Sequence, residues 1–116
     1  MTDQGIDRTS QFEVPDDMAV LYLGLLLRGP NWTPEETPEV MALQERHLAY
    51  IGAMAAEGKL LLAGPFLDGG HLRGVFVFRT GSLQEAQALA AADPSVQAGR
   101  LALDIHPWMV PADSLP

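Results

Sequence analysis

The order of its apolar segments constrains the fold of this chain more than any other feature of the sequence. Four short segments rich in Leu, Val, Ile and Phe are typical of strands, and two longer segments have apolar residues every three or four positions, as amphipathic helices do. The predicted strands cover residues 19–27, 59–67, 73–80 and 100–106, and the predicted helices cover residues 37–57 and 82–92. The resulting order, βαββαβ, is that of a ferredoxin-like α+β fold.

The ends of both predicted helices carry residues with strong positional preferences. Thr37 followed by Pro38 predicts a helix cap and a first helical residue, and Gly58 is a typical helix stop. Ser82 and Glu85 form a capping box, in which each side chain satisfies a free backbone amide at the start of the helix. These residues fix the helix boundaries independently of the apolar pattern.

The third predicted strand is apolar on both faces, because Phe76 and Phe78 alternate with Val75 and Val77. The turn sequence at residues 68–70 predicts a hairpin between the second and third strands. Both helices should cover one face of a four-stranded antiparallel sheet. Since soluble proteins rarely leave the other apolar face exposed, we expect a homodimer that buries it.

The charge and composition of the chain restrict its partners. Its 116 residues suffice for one domain, 47% of them are hydrophobic, and the formal net charge is −8. The seven basic residues form no cluster in sequence, so an acidic surface should repel nucleic acids and anionic membranes. No apolar run approaches the roughly 20 residues that span a bilayer. We therefore predict no nucleic-acid or membrane partner and expect a small-molecule ligand.

The chain divides into one domain and two tails. We predict a flexible polar tail at residues 1–17, a ferredoxin-like domain at residues 18–110 and a short tail at residues 111–116. The start of the sequence is acidic and lacks the basic region of a signal peptide, which favours the cytoplasm.

The sequence offers few ligands for a metal or a cofactor. It contains no cysteine, which excludes disulfides, thiolate metal sites and a cysteine nucleophile. The three histidines do not have the spacing of a metal site, and no glycine-rich phosphate loop follows a strand. We therefore expect the protein to work without a metal or an organic cofactor.

His47 is a polar residue in the middle of an apolar helix face. The face also contains Val40, Leu43, Ile51 and Met54, at spacings of three and four. A buried imidazole must have a hydrogen-bond partner, and imidazole is the side chain whose ordinary pKa lies near neutral pH. His47 is therefore a candidate general acid/base, and the alternative is a structural histidine satisfied within the core or at its rim.

Asp93 is the candidate partner of His47. It precedes Pro94, so it can cap a short helical turn, and it can also orient the imidazole ring. Contact is possible because both helices lie on the same side of the sheet in a βαββαβ fold. Ser95 is a possible third member of the group.

Gly64 and Pro65 interrupt the second predicted strand, where neither residue is favoured. One interpretation is that they let the backbone approach a bound ligand. The other is a bulge or a bend in an edge strand.

Several of these segments together resemble the YCII-related (YciI-like) proteins over about residues 19–109. The resemblance rests on His47, the Glu-Gly-Lys-Leu-Leu-Leu-Ala-Gly-Pro segment at 57–65, Ser-Leu-Gln-Glu-Ala at 82–86, Ala-Asp-Pro-Ser-Val at 92–96, and Gly99. It implies a dimeric α/β barrel, in which two sheets face each other and the helices lie outside. It also implies one pocket per subunit with a His–Asp pair, which falls on His47 and Asp93. Relatives include dehydrochlorinases, and the wider fold group includes muconolactone isomerases.

Together, these observations predict a cofactor-independent small-molecule enzyme with lyase, isomerase or dehydrochlorinase-like chemistry. His47 would move a proton on a cyclic or carbonyl-bearing substrate, Asp93 would orient His47, and Gly64, Pro65 and Ser95 would contact the substrate. The alternative is a non-catalytic dimeric module that binds a small ligand or assists another protein. An open cavity beside His47 favours the enzyme, since a purely structural pair needs none. This chain has a longer N-terminal tail and a longer connection at 29–38 than the family pattern.

Overall fold

A computed structural model describes residues 12–116, which form a four-stranded antiparallel sheet with its helices on one face. The elements in chain order are β1 (Met18–Arg28), α1 (Pro38–Ala56), β2 (Leu60–Pro65), β3 (Leu72–Phe78), α2 (Leu83–Ala91), the short α3 (Pro94–Gln97), β4 (Leu101–Pro111) and a 3₁₀ turn (Ala112–Ser114). The strand order is β2-β3-β1-β4, and every neighbouring pair is antiparallel. This is the predicted ferredoxin-like architecture.

The helix caps that the sequence predicts are formed. The Thr37 hydroxyl accepts a hydrogen bond from the Val40 amide at the start of α1, and the Ser82 hydroxyl accepts one from the Glu85 amide at the start of α2. The Glu85 carboxylate reaches back to the amide of Gly81, one residue before the cap. The two helices therefore begin where their capping residues place them.

The main core lies between the sheet and the helices. Its buried residues are Tyr22, Leu26, Met54, Leu60, Phe76, Phe78, Ala86 and Ala90. Two aromatic rings from β3 pack edge to face, with 5.5 Å between the centroids of Phe76 and Phe78. The small side chains of Ala86 and Ala90 bring α2 close to the sheet.

The helix-free face of the sheet carries a second apolar cluster. Leu21, Val77 and Val110 are buried there, and Leu115 from the end of the chain packs against them. A hydrogen bond from the Ala112 amide to the Asp17 carbonyl holds this end of the chain beside the start of β1. Val75 and Val77 therefore lie opposite the core face, as predicted.

The last strand is longer than the sequence predicted. The predicted strand ends at residue 106, but β4 pairs with β1 through Pro111. The reason is that β4 is an edge strand. No further strand pairs with its open side, so the missing N–H of Pro107 costs no hydrogen bond there.

The described residues cover only part of the predicted tails. Residues 1–11 of the tail predicted at 1–17 lie outside the described part of the chain.

Within residues 12–116, no helix has both the length and the apolar character needed to cross a membrane.

Candidate active site

His47 lies on the buried face of α1, above the sheet. Leu43 and Met54 are the other buried residues of this helix, so His47 occupies the central position of its apolar stripe. The residue as a whole is only 8% exposed. The imidazole stacks on Phe76 of β3, with ring centroids 6.1 Å apart and an interplanar angle of 28°. The packing of α1 on the sheet therefore sets the position of the ring.

Asp93 binds the imidazole at Nδ1. It lies between α2 and α3 and is completely buried. Its two carboxylate oxygens lie 2.9 and 2.7 Å from Nδ1 of His47, and one of them also accepts a hydrogen bond from the Ser95 amide. Asp93 thus both caps α3 and binds His47, so the two interpretations of this residue describe one arrangement.

The contact with Asp93 defines the state of the imidazole ring. A carboxylate only accepts hydrogen bonds, so with Asp93 in that form Nδ1 of His47 is the donor of this contact. In the neutral ring, Nε2 is then the nitrogen with a free lone pair. Nε2 takes no part in the contact with Asp93.

An open cavity of about 310 Å³ lies beside His47. Its apolar wall includes Leu26, Leu48, Ile51 and Phe76. Ligand pockets in proteins typically have volumes of about 300–1,000 Å³, so this cavity suits a compact molecule. The feature expected to distinguish an enzyme from a purely structural pair is therefore present.

The other predicted contact residues also lie at this cavity. Gly64, Pro65 and Ser95 line it together with His47, whereas Asp93 lies behind the imidazole and does not. A side chain at Gly74 would meet the Gly64 carbonyl oxygen at 2.7 Å, so β2 and β3 approach closely here. The contact of these residues with a substrate stays a prediction.

A cluster of four residues, three of which line the cavity, was not predicted from the sequence. Trp32 lies in the loop between β1 and α1, and the guanidinium carbons of Arg28, Arg73 and Arg100 lie 5.5, 4.5 and 4.2 Å from its ring centroid. The three arginines are far apart in sequence. They lie at the end of β1, at the start of β3 and just before β4, which antiparallel pairing brings to the same end of the sheet. The strand order, combined with these positions, is the signal that could have found the cluster.

Of three further titratable groups, Tyr50 lies near the pair, and His106 and Asp104 lie on β4. The Tyr50 hydroxyl donates a hydrogen bond to the Leu89 carbonyl, and burial raises its pKa, with the negative charge of Asp93 as the next cause. His106 and Asp104 form an exposed contact of 3.0 Å. Within residues 12–116, no three His, Asp or Glu side chains are grouped as metal ligands.

Comparisons with known proteins place this geometry in a family. The profile of the YCII-related domain matches residues 25–109. An uncharacterised Bacillus subtilis protein, YjpA, is 36% identical over 87 residues, which cover 75% of this chain and 92% of that protein.

A solved structure has a similar fold. It is 5-chloro-2-hydroxyhydroquinone dehydrochlorinase from Burkholderia phenoliruptrix, in complex with 2,5-dihydroxybenzoquinone. It is 24% identical to this chain, with a TM-score of 0.53 and coverage of 76% of this chain and 92% of that one. This likeness shows the fold, and the profile and the bacterial relative together show that the chain belongs to the YCII-related family.

Proposed function

We propose that the protein is a small-molecule enzyme in which Nε2 of His47 acts as a general acid/base and Asp93 orients the ring. The observation that carries this proposal is the cavity beside an imidazole whose other nitrogen is bound to a buried carboxylate. A histidine that served packing alone would need no cavity. General acid/base groups commonly contribute about 10²–10⁴-fold to a reaction rate.

The arrangement suits reactions in which a proton leaves a hydroxylated or carbonyl-bearing ring. Nε2 would take the proton from oxygen or carbon, and the released electron pair would form a new double bond within the substrate. In an elimination, chloride would leave with its bonding pair; in an isomerisation, the proton would return at a different carbon. The imidazolium formed at His47 would be stabilised by the ionised Asp93.

The solved dehydrochlorinase supports the choice of substrate. That protein is named for a chlorinated hydroxyhydroquinone and was solved with a hydroxylated quinone. We propose that this chain converts ring compounds of similar size and similar oxidation level. The conversion would need neither a metal nor an organic cofactor. The apolar wall formed by Leu48, Ile51 and Phe76 would pack against the ring of such a molecule.

A substrate panel tests the proposal. Chlorinated hydroxyhydroquinones, unsaturated lactones and cyclic ketones are incubated with the protein in D₂O. Chloride release is followed with an electrode, and proton exchange or isomerisation is followed by ¹H NMR. We expect the protein to accelerate at least one of these reactions. A panel in which no compound reacts faster than in buffer would contradict the proposal.

A cavity-filling variant serves as the control. Leu48 lines the cavity but is more than half exposed, so Leu48→Trp should fill the cavity while leaving the core intact. Its turnover should fall strongly while its melting temperature stays near that of the wild type. Unchanged turnover in a folded Leu48→Trp protein would mean that the reaction does not take place in this cavity.

A further inference from the structure

We infer that the cavity selects an anionic substrate, a compact apolar molecule whose carboxylate or similar acidic oxygen group is held by arginines at the cavity mouth. This inference rests on the proposed function, because it names the substrate class of the same site. It depends on residues that the proton-transfer proposal does not use.

Two of the three arginines around Trp32 line the cavity itself. Arg73 and Arg100 do so together with Trp32. The guanidinium group of Arg28 lies over the same Trp32 ring at a greater distance. The cavity wall therefore has a cationic side at Trp32 and a proton-accepting side at His47. A substrate that fills about 310 Å³ would reach both.

Each guanidinium group is fixed in place by a backbone carbonyl. Arg28 donates to Gly69, Arg73 donates to Gly70, and Arg100 donates to Thr33, at 2.8–3.0 Å. An arginine has five N–H donors, so these bonds leave most donors available. Preorganised guanidinium groups of this kind match the two oxygens of a carboxylate.

A β-bulge brings Arg73 to the cavity. Leu26 of β1 pairs with Gly74 and Leu27 pairs with Leu72, so Arg73 is the extra residue without a partner in β1. In a regular strand, Arg73 would share the helix-free face with Val75. Bulges commonly redirect one side chain beside an active site, and here the redirected side chain is a cation.

The charge around this cluster is unbalanced. Within residues 12–116, no carboxylate lies within 4 Å of the three guanidinium groups, although the chain carries 15 acidic residues against 7 basic ones. Lys59, by contrast, pairs with Glu85 at 2.6 Å. Three cations beside one aromatic ring repel one another, and a bound anion would offset that repulsion. The cluster is thus suited to an anionic ligand.

Benzoate and benzamide form a matched pair of probes, because they have the same shape and differ in charge. The ¹⁵N-labelled protein is titrated with each, and the indole N–H signal of Trp32 is followed by NMR. The variant Trp108→Phe assigns the signal by removing the other tryptophan. We expect benzoate to shift the Trp32 signal saturably and to bind at least about tenfold more tightly than benzamide.

Three substitutions locate the binding charge. Arg73→Gln and Arg100→Gln should each weaken benzoate binding about tenfold or more and leave benzamide binding unchanged. Arg79→Gln removes the same charge from a residue that does not line this cavity, and it should have little effect. Two separate cavity variants keep the test valid if one of them fails to fold.

The outcomes separate this inference from the proposed function. Equal affinity for benzoate and benzamide, no benzoate-induced shift at Trp32, or equal losses in Arg79→Gln and Arg73→Gln would overturn the inference. Anion binding does not need Nε2 of His47, so His47→Asn should still bind benzoate. Benzoate binding by a protein that turns over no substrate would contradict the proposed function alone.

Discussion

At the scale of single residues, the two nitrogens of His47 have different tasks. Nδ1 is bound to Asp93, which is itself held by the Ser95 amide at the start of α3. Nε2 takes no part in this contact, and we propose that it is the nitrogen that acts on the substrate. Asp93 is completely buried, and the described partners of its carboxylate are His47 and the Ser95 amide, so the burial of Asp93 depends on His47.

We predict that His47→Ala is destabilising. Removing the imidazole leaves a fully buried carboxylate with only the Ser95 amide as a described partner, which should cost about 1–3 kcal/mol of unfolding free energy. In His47→Ala/Asp93→Ala the charge is gone, so part of this loss should be recovered. The remaining loss reflects the missing α3 cap, about 1 kcal/mol. Urea denaturation measures the unfolding free energies of His47→Ala, Asp93→Ala and the double variant. If the loss in the double variant equals the sum of the two single losses, the two residues are not coupled and the prediction is contradicted.

The sequence predicted the His–Asp contact better than the rest of the site. A histidine in an apolar helix face must find a polar partner, and the fold places Asp93 on the same side of the sheet. Trp32 and its arginines gave no such signal, because each arginine is unremarkable in its own segment. The bulge at Arg73 depends on strand register, which the apolar pattern does not specify to one residue.

At the scale of elements, the loop after β1 is attached to the segment after α3. The Asn31 amide donates to the Gly99 carbonyl, and the Asn31 side chain donates to the Ala98 carbonyl. Gly99 has a φ of +75°, which favours glycine. These contacts hold the neighbouring Trp32 at the cavity mouth.

We predict that Gly99→Ala is more destabilising than Gly58→Ala. Both glycines have positive φ, so each substitution should cost about 1 kcal/mol through backbone strain. A Cβ at Gly99 would also lie 2.6 Å from the side-chain amide nitrogen of Asn31, whereas one at Gly58 meets nothing within 4 Å. Thermal melts compare the two variants directly. Equal decreases in melting temperature would show that the contact with Asn31 does not contribute to the destabilisation.

The Lys59–Glu85 pair links the start of β2 to α2. The hydrogen bond between the two side chains is the main cause that lowers the pKa of Glu85 and raises the pKa of Lys59. A lowered acid pKa stabilises the fold above the unfolded value, about 4, and the gain is lost as the pH falls through the lowered pKa. A raised lysine pKa stabilises the fold below about pH 10, and that gain is lost as the pH rises through the raised pKa.

We therefore predict that the destabilisation of Lys59→Met depends on pH. It should be constant near neutral pH and should shrink on both acid and alkaline sides. Because both groups are more than a third exposed, the effect should be small and should fall with added salt. Urea denaturation across the pH range measures it. A loss of the same size at every pH would mean that lost packing, rather than the ion pair, causes it.

At the scale of the whole molecule, the helix-free face still exposes large apolar side chains. Leu62 opposite Val77 is 68% exposed and Trp108 opposite Leu21 is 45% exposed, although Leu115 covers part of the face. The sequence predicted this face because β3 alternates two apolar sets. We propose that a second copy covers it, and that two sheets then face each other.

Sedimentation equilibrium should therefore give the mass of a dimer at micromolar concentration. Leu62→Asp should shift the protein toward monomer, because it places an unpaired charge in the face between the sheets. Leu67→Asp, in the exposed loop after β2, introduces the same charge outside the paired strands and should remain dimeric. A wild-type protein that sediments only as a monomer would contradict the proposed dimeric barrel.

The central claim, that Nε2 of His47 performs proton transfer, is tested most directly by His47→Asn. The asparagine amide can replace Nδ1 as a donor to Asp93, but the variant has no group in the place of Nε2. Turnover of a substrate identified by the panel is measured for wild type and variant, together with thermal melting of each. The account predicts that the variant melts closer to the wild type than His47→Ala does and loses at least about 10²-fold in turnover. Turnover at the wild-type rate by folded His47→Asn would contradict it.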